Sequence, residues 1–160
     1  MGQIISPQTE FKRNCDILLS KKVIQTGISL QGTTRMTNHT TILLVEDDPL
    51  VLMLMLQVVE RAVAPSAQIM TARNGEEGLL RAREVQPDLI VTDLMMPKMD
   101  GYDMVQSLRQ EQIGSQMWVI GLSSASAIDP RTKDFRKLCD KFLSKPFQPH
   151  DLVAALNRPD

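Results

Sequence analysis

Residues 88–101 read DLIVTDLMMPKMDG. Leu89, Ile90, Val91 and Thr92 form an unbroken apolar and β-branched run of strand length, with Pro87 on one side and Pro97, Asp100 and Gly101 on the other. A short run without polar alternation fits a strand covered on both faces, as in a parallel sheet. It ends on Asp93, and the loop that follows is rich in turn residues. Upstream, residues 41–46 (TILLVE) repeat the pattern and lead into Asp47-Asp48-Pro49. Asp48 as N-cap and Pro49 at the first helical position predict a helix over residues 49–61. Residues 67–71 (AQIMT) read as a weaker strand, Asn74-Gly75 as a turn and residues 75–86 as a helix stopped by Pro87. Downstream, residues 102–112 read as a helix and 116–122 (QMWVIGL) as a strand. Asp129-Pro130 opens a basic helix to about residue 139, followed by a strand at 141–144 (KFLS) and a helix at 149–157. Five strand–helix units predict an α/β parallel sheet with right-handed crossovers.

Residues 40–160 form the predicted domain, and residues 1–39 an extension. Phe11, Cys15, Leu18 and Leu19 fall at helical spacing there, residues 26–40 read as linker, and Met36 is an alternative first residue. The extension carries five basic groups (Lys12, Arg13, Lys21, Lys22, Arg35) against two acidic (Glu10, Asp16). Over the whole chain the net charge is −1, which argues against nucleic acid or a membrane surface as partner. The apolar run at 50–56 is too short to span a bilayer, and no secretory pattern opens the chain. Cys15 and Cys139 lack metal-ligand spacing and read as free thiols of a reducing compartment. The expected location is the cytoplasm.

In an open α/β sheet, ligands sit beyond the carboxyl ends of the strands. Glu46 and Asp47 follow the first strand, Asp93 closes the third, Ser123 the fourth and Lys145 the fifth. Three carboxylates, a hydroxyl and an ammonium thus meet at one edge. Clustered carboxylates repel one another unless a cation sits among them, and oxygen ligands of this kind suit Mg²⁺. A carboxylate beside such a cation can act as nucleophile toward phosphorus. Singly, each residue has a plainer explanation: Asp48 as a cap, Glu46 and Asp47 as turn acids, Asp93 as a turn starter, Ser123 as a helix-entry hydroxyl, Lys145 as a solvated charge. Five strand-end residues of complementary chemistry are a much rarer coincidence.

VEDDP (45–49), TDLMMPKMDG (92–101), IGLSSAS (120–126) and FLSKPF (142–147) resemble, in order and spacing, the signature blocks of the response-regulator receiver family. The resemblance spans about residues 40–157. It implies a flavodoxin-like (βα)5 three-layer sandwich with strand order 2-1-3-4-5. It implies a phosphoacceptor switch, not an enzyme in the turnover sense, although phosphoryl transfer and loss are self-catalysed. By resemblance Asp93 is the phosphoacceptor, Glu46 and Asp47 are the acid pair around Mg²⁺, and the Met95 carbonyl is a further metal ligand. Ser123 contacts the phosphoryl group and moves on activation, Phe142 is the switch aromatic, Lys145 pairs with the phosphoryl group, and the peptide before Pro146 is often cis. The implied partners are a histidine kinase or histidine phosphotransferase, and a downstream protein reached through the fourth helix, fifth strand and fifth helix. The chain itself would be a monomer or weak homodimer.

The sequence departs from the family pattern at Ser124, usually Ala, at Leu138-Cys139-Asp140, usually Gly-containing, and at Phe142, which lacks the hydroxyl of the commoner Tyr. On the family pattern, Val51, Leu54, Met55, Val58 and Val59 face the sheet. Leu52, Met53 and Leu56 point outward, an apolar stripe for the extension or a second subunit to cover. Arg131, Lys133, Arg136 and Lys137 suggest a basic partner surface on the fourth helix. With no output domain after the last helix, a stand-alone regulator is expected; a receiver portion of a larger hybrid kinase or multidomain regulator is the alternative. A hydrolase using Ser123 is a weaker reading, because GLSSA only approaches a nucleophile elbow and His150 is the sole downstream histidine. A phosphorylation-independent relative of the family is disfavoured, since every chemical position is filled.

Overall fold

In the computed structural model the described residues are 41–111, 116–124 and 129–158. The reading of residues 1–39 as an extension, including Cys15 and the short helix, lies outside them. Five parallel strands, β1 (Thr41–Val45), β2 (Gln68–Ala72), β3 (Leu89–Asp93), β4 (Trp118–Ser123) and β5 (Lys141–Ser144), form one sheet in the order β2-β1-β3-β4-β5. This is the predicted flavodoxin-like arrangement, with predicted bounds shifted by up to two residues. Five helices alternate with the strands: α1 (Pro49–Ala62), α2 (Gly75–Val85), α3 (Gly101–Gln110), α4 (Pro130–Leu138) and α5 (Pro149–Ala155).

Strand alternation sorts the apolar residues into two cores. Ile42 and Leu44 of β1, Leu89 and Val91 of β3, and Ile120 and Leu122 of β4 pack with α1 and α5. Leu43, Val45, Ile90 and Val119, one register on, pack with α2, α3 and Phe135 of α4. Both faces are covered, which is why β1 and β3 carry no polar alternation. The caps are those the sequence supplies. Asp48 accepts from the Leu50 and Val51 amides at 2.8 and 3.2 Å. Asn74 accepts from the Glu77 amide at 3.0 Å and Asp129 from the Arg131 amide at 2.8 Å.

The loop from β3 to α3 is fixed at its start against the neighbouring strand β4 and closes back on itself. Leu94 donates to the Leu122 carbonyl at 2.8 Å, and Gly101 donates back to the Leu94 carbonyl at 2.9 Å. A side chain at Gly101 would place its Cβ 2.0 Å from the Asp93 carbonyl oxygen, so only glycine fits. Between them Lys98 takes the left-handed conformation, φ 68°.

The expected facing of α1 requires correction. Leu52 is buried, with Met55, Val58, Val59 and Ala62, whereas Leu54 is 41% exposed. Val51 and Leu56 are half-buried against the same core, and Leu50 is the most exposed large apolar residue of the helix, at 70%. The stripe Leu52, Met55, Val59 and Ala62 follows the helical repeat. The helix is rotated from the expected setting, so the outward apolar pair is Leu50 and Leu54. The proposed cover by the extension lies outside the described residues. On these facings, Leu52→Ala should lower unfolding free energy by about 2–5 kcal/mol, and Leu54→Ala should stay within about 0.5 kcal/mol of the parent. Urea denaturation of both variants checks this; a larger loss for Leu54→Ala than for Leu52→Ala would restore the original facing.

Candidate functional site

Three consecutive acids leave β1 and are used in three ways. Glu46 extends the sheet, its amide donating to the Ala72 carbonyl at 3.1 Å, and its side chain is 1% exposed. Asp47 faces solvent. Asp48 caps α1. At the end of β3, Asp93 is 5% exposed, in register with Leu122 of β4. Ser123, buried, is the next residue of β4, and its carbonyl accepts from the Lys145 amide at 2.8 Å. The Lys145–Pro146 peptide is cis, as the resemblance implied.

Lys145 organises the charges. Its Nζ lies 2.6 Å from Glu46 Oε2, a hydrogen-bonded ion pair, and 3.1 Å from Asp93 Oδ1. The second approach is an ion pair without hydrogen-bond alignment: Asp93 Oδ1 is buried and has no hydrogen-bond partner among the described residues. Glu46, Asp47 and Asp93 each offer a carboxylate oxygen, all within 4.8 Å of one another. One ammonium therefore faces three carboxylates. Burial raises the Asp93 carboxyl above its ordinary range, Lys145 opposing and Asp47 adding to the rise. Burial raises Glu46 likewise, against the pull of Lys145. For Lys145 burial acts downward, but Glu46 and Asp93 outweigh it and hold the ammonium charged.

These directions describe a site short of positive charge. A buried carboxylate oxygen without a hydrogen bond among the described residues, two further acids and an open side at Asp47 are a donor set that fits a hard divalent cation with room for water. Sequence reasoning brought Glu46, Asp47, Asp93, Ser123 and Lys145 to one edge, and the strands place them there. It assigned Lys145 to an incoming group and missed Glu46 as its closest partner, because a pairing across 99 positions has no local signal. The side chain of Met95, two residues past Asp93, is 58% exposed.

Phe142 is half-buried on β5. Its ring meets Phe135 edge-on at 6.2 Å between centroids, with the Arg136 guanidinium 4.7 Å above it. The basic surface foreseen on α4 is largely engaged. Arg136 covers Phe142, Lys137 pairs with Asp134 at 2.7 Å and Arg131 pairs with Asp100 and Asp103. Trp118 opens β4, and its indole donates to the Ala155 carbonyl at 3.1 Å. The site lies at the other end of that strand, about 16 Å away at the usual rise, so Trp118 is poorly placed to report on it. Cys139 is a free thiol pushed up to about 12 by burial. Among the described residues, no helix is long and apolar enough to cross a membrane.

The response regulator receiver domain family matches residues 42–157. The chain is 33% identical over 113 residues to the DNA-binding dual master transcriptional regulator RpaA of Synechocystis, covering 71% of this chain and 46% of that protein. It is 31% identical over 154 residues to hybrid signal transduction histidine kinase D of Dictyostelium discoideum, covering 96% of this chain and 9% of that one. The chain spans about half or less of the length of the curated relatives it matches. The signal receiver domain of a DNA-binding response regulator from Colwellia psychrerythraea superposes with a TM-score of 0.65 at 26% identity, over 72% of this chain and 94% of that one. With the fold, the acidic strand-end cluster and the family match in agreement, the chain belongs to the response regulator receiver domain family.

Proposed function

We propose that Asp93 accepts a phosphoryl group from a histidine kinase or histidine phosphotransferase. A carboxylate oxygen of Asp93 forms a bond to phosphorus while the phosphorus–nitrogen bond of the donor imidazole breaks and its electron pair stays on nitrogen. The observation that carries this reading is Asp93 itself, buried at a strand end with an oxygen 3.1 Å from the Lys145 ammonium. Lys145 and Ser123 hold the phosphoryl oxygens, and Glu46, Asp47, Asp93 and the Met95 carbonyl would hold Mg²⁺. The cation, when bound, neutralises charge on the acids and on the phosphoryl oxygens. The same groups serve the later loss of the phosphoryl group to water.

Leu50 and Met95, two residues along the chain from Asp48 and Asp93, are exposed side chains that a docking donor would meet. Output runs through α4, β5 and α5, where Phe142 sits between two states, with the chain acting as a cytoplasmic monomer or weak homodimer and without nucleic acid or membrane. A second reading, a receiver portion of a longer hybrid kinase or regulator, is favoured by the small share of each relative that the chain spans.

Incubation with radiolabelled acetyl phosphate and Mg²⁺ should place an acid-stable, base-labile phosphoryl group on the protein and none on Asp93→Asn. Full labelling of the variant overturns the assignment. Asp47→Ala should weaken Mg²⁺ binding at least tenfold by calorimetry, and unchanged affinity removes Asp47 as a ligand.

Asp93→Asn also carries a pH signature. A carboxyl whose pKa is raised by folding contributes stability while protonated and loses it as pH rises through the folded value. Once ionised, Asp93 is a buried charge that the amide does not bear. Asp93→Asn should therefore melt higher at pH 7, and its advantage should shrink as pH falls toward the unfolded value near 3.8. Melting curves from pH 4 to 7 test this; an advantage that grows on acidification contradicts it.

A further inference from the structure

Helix α4 is tied to α3 by an arginine at each end, and the two ties differ in kind. At the carboxyl end, Arg109 of α3 donates to the carbonyl of Leu138, the last residue of α4, from Nε at 3.2 Å and from a terminal nitrogen at 3.1 Å. The same guanidinium reaches the Met117 carbonyl at 3.0 Å and Asp140 Oδ2 at 2.8 Å. Asp140 in turn accepts from the Val119 amide at 2.8 Å. Arg109 and Asp140 are 23% and 31% exposed, and a cation suits a helix carboxyl end. This tie joins α4 to the start of β4 through five hydrogen bonds, four of them on partly buried groups.

At the amino end, Arg131 of α4 reaches Asp100 and Asp103 through a single guanidinium nitrogen, and its charge lies 5.5 Å from the centre of the Tyr102 ring. Arg131 and Asp103 are about half exposed, where ion pairs are weak and screened, while Asp100 is 17% exposed. Two features oppose this end. Arg131 is the second residue of the helix, where the macrodipole disfavours a cation. Thr132 beside it is buried, 3% exposed, with a hydroxyl that meets no hydrogen-bond partner among the described residues, an arrangement that costs stability. The clasp also ends at the site: Asp100 precedes Gly101, which packs on the Asp93 carbonyl.

We propose that α4 is a lever, hinged at its carboxyl end by Arg109 and held at its amino end by a releasable clasp of Arg131 on Asp100 and Asp103. Release of the clasp, when the loop beside Asp93 rearranges, frees the amino end of α4 for a partner. The release rests on the receiver reading; the clasp and the hinge do not.

Hydrogen exchange of the full chain at low salt, without phosphoryl donor, separates the parts. Arg131→Gln should speed exchange at residues 132–136 by about two- to fivefold and leave 138–141 unchanged. Asp103→Asn should act in the same place and less. Arg109→Gln should loosen the whole helix, with Asp140→Asn as a milder substitute if that variant folds poorly. If Arg131 were only a surface charge, its removal would relieve the dipole and slow exchange there; slower or unchanged exchange overturns the clasp. Loosening of the whole helix by Arg131→Gln overturns the hinge. With Mg²⁺ and beryllium fluoride as phosphoryl mimic, Arg131→Gln should bind about two- to fivefold tighter than wild type, by linkage. Equal affinity overturns the coupling to Asp93. Failure of the wild type to bind the mimic removes the receiver reading and the release step with it, and leaves the exchange result standing.

Discussion

The constraint on which this domain turns is the placement of one ammonium among three carboxylates. Lys145 touches Glu46 at 2.6 Å and Asp93 at 3.1 Å, and Asp47 completes the acidic set. Burying such a group is costly, and a single partner repays it only in part. The surrounding fold keeps the groups together all the same. Glu46 is locked by the ladder to β2, Asp93 by β3, and Lys145 by its amide to Ser123. Gly101 lets α3 begin directly on the Asp93 backbone. The charge deficit that remains is what makes the site receptive to a cation.

Stability is distributed unevenly around that site. Helix α1 buries five residues, Leu52, Met55, Val58, Val59 and Ala62, in the core it shares with α5. Helix α4 buries only Thr132 and Phe135, and one of these is an unsatisfied hydroxyl. An element with so little apolar anchorage opens at lower free energy than its neighbours. Phe135 packs edge-on against Phe142, so the lightly anchored helix and the aromatic of β5 share one contact. Motion of either is felt by the other.

Much of this was written in the chain at short range. Continuous apolar runs at 41–45 and 89–92 announced strands covered on both faces, and Asp48-Pro49 and Asp129-Pro130 announced helix starts. Strand ends at Glu46, Asp93, Ser123 and Lys145 followed from the βα alternation, because a parallel sheet delivers every strand's carboxyl end to one edge. The facing of α1 was not legible: with apolar residues at nearly every position from 50 to 56, periodicity does not choose a stripe, and the sheet chose Leu52 over Leu54. Nor was the use of the basic residues of α4 legible, since Arg131 meets Asp100 and Asp103 from about thirty positions away.

The sequence by itself determined the element order, the caps and which chemical groups close the strands, because those depend on neighbours within a few residues. The tertiary structure alone decided that Lys145 pairs first with Glu46, that Asp47 stays in water while Glu46 does not, and that Arg109 and Arg131 hold opposite ends of α4. Burial and charge pairing act through space, and their partners lie from about thirty to 99 positions apart along the chain.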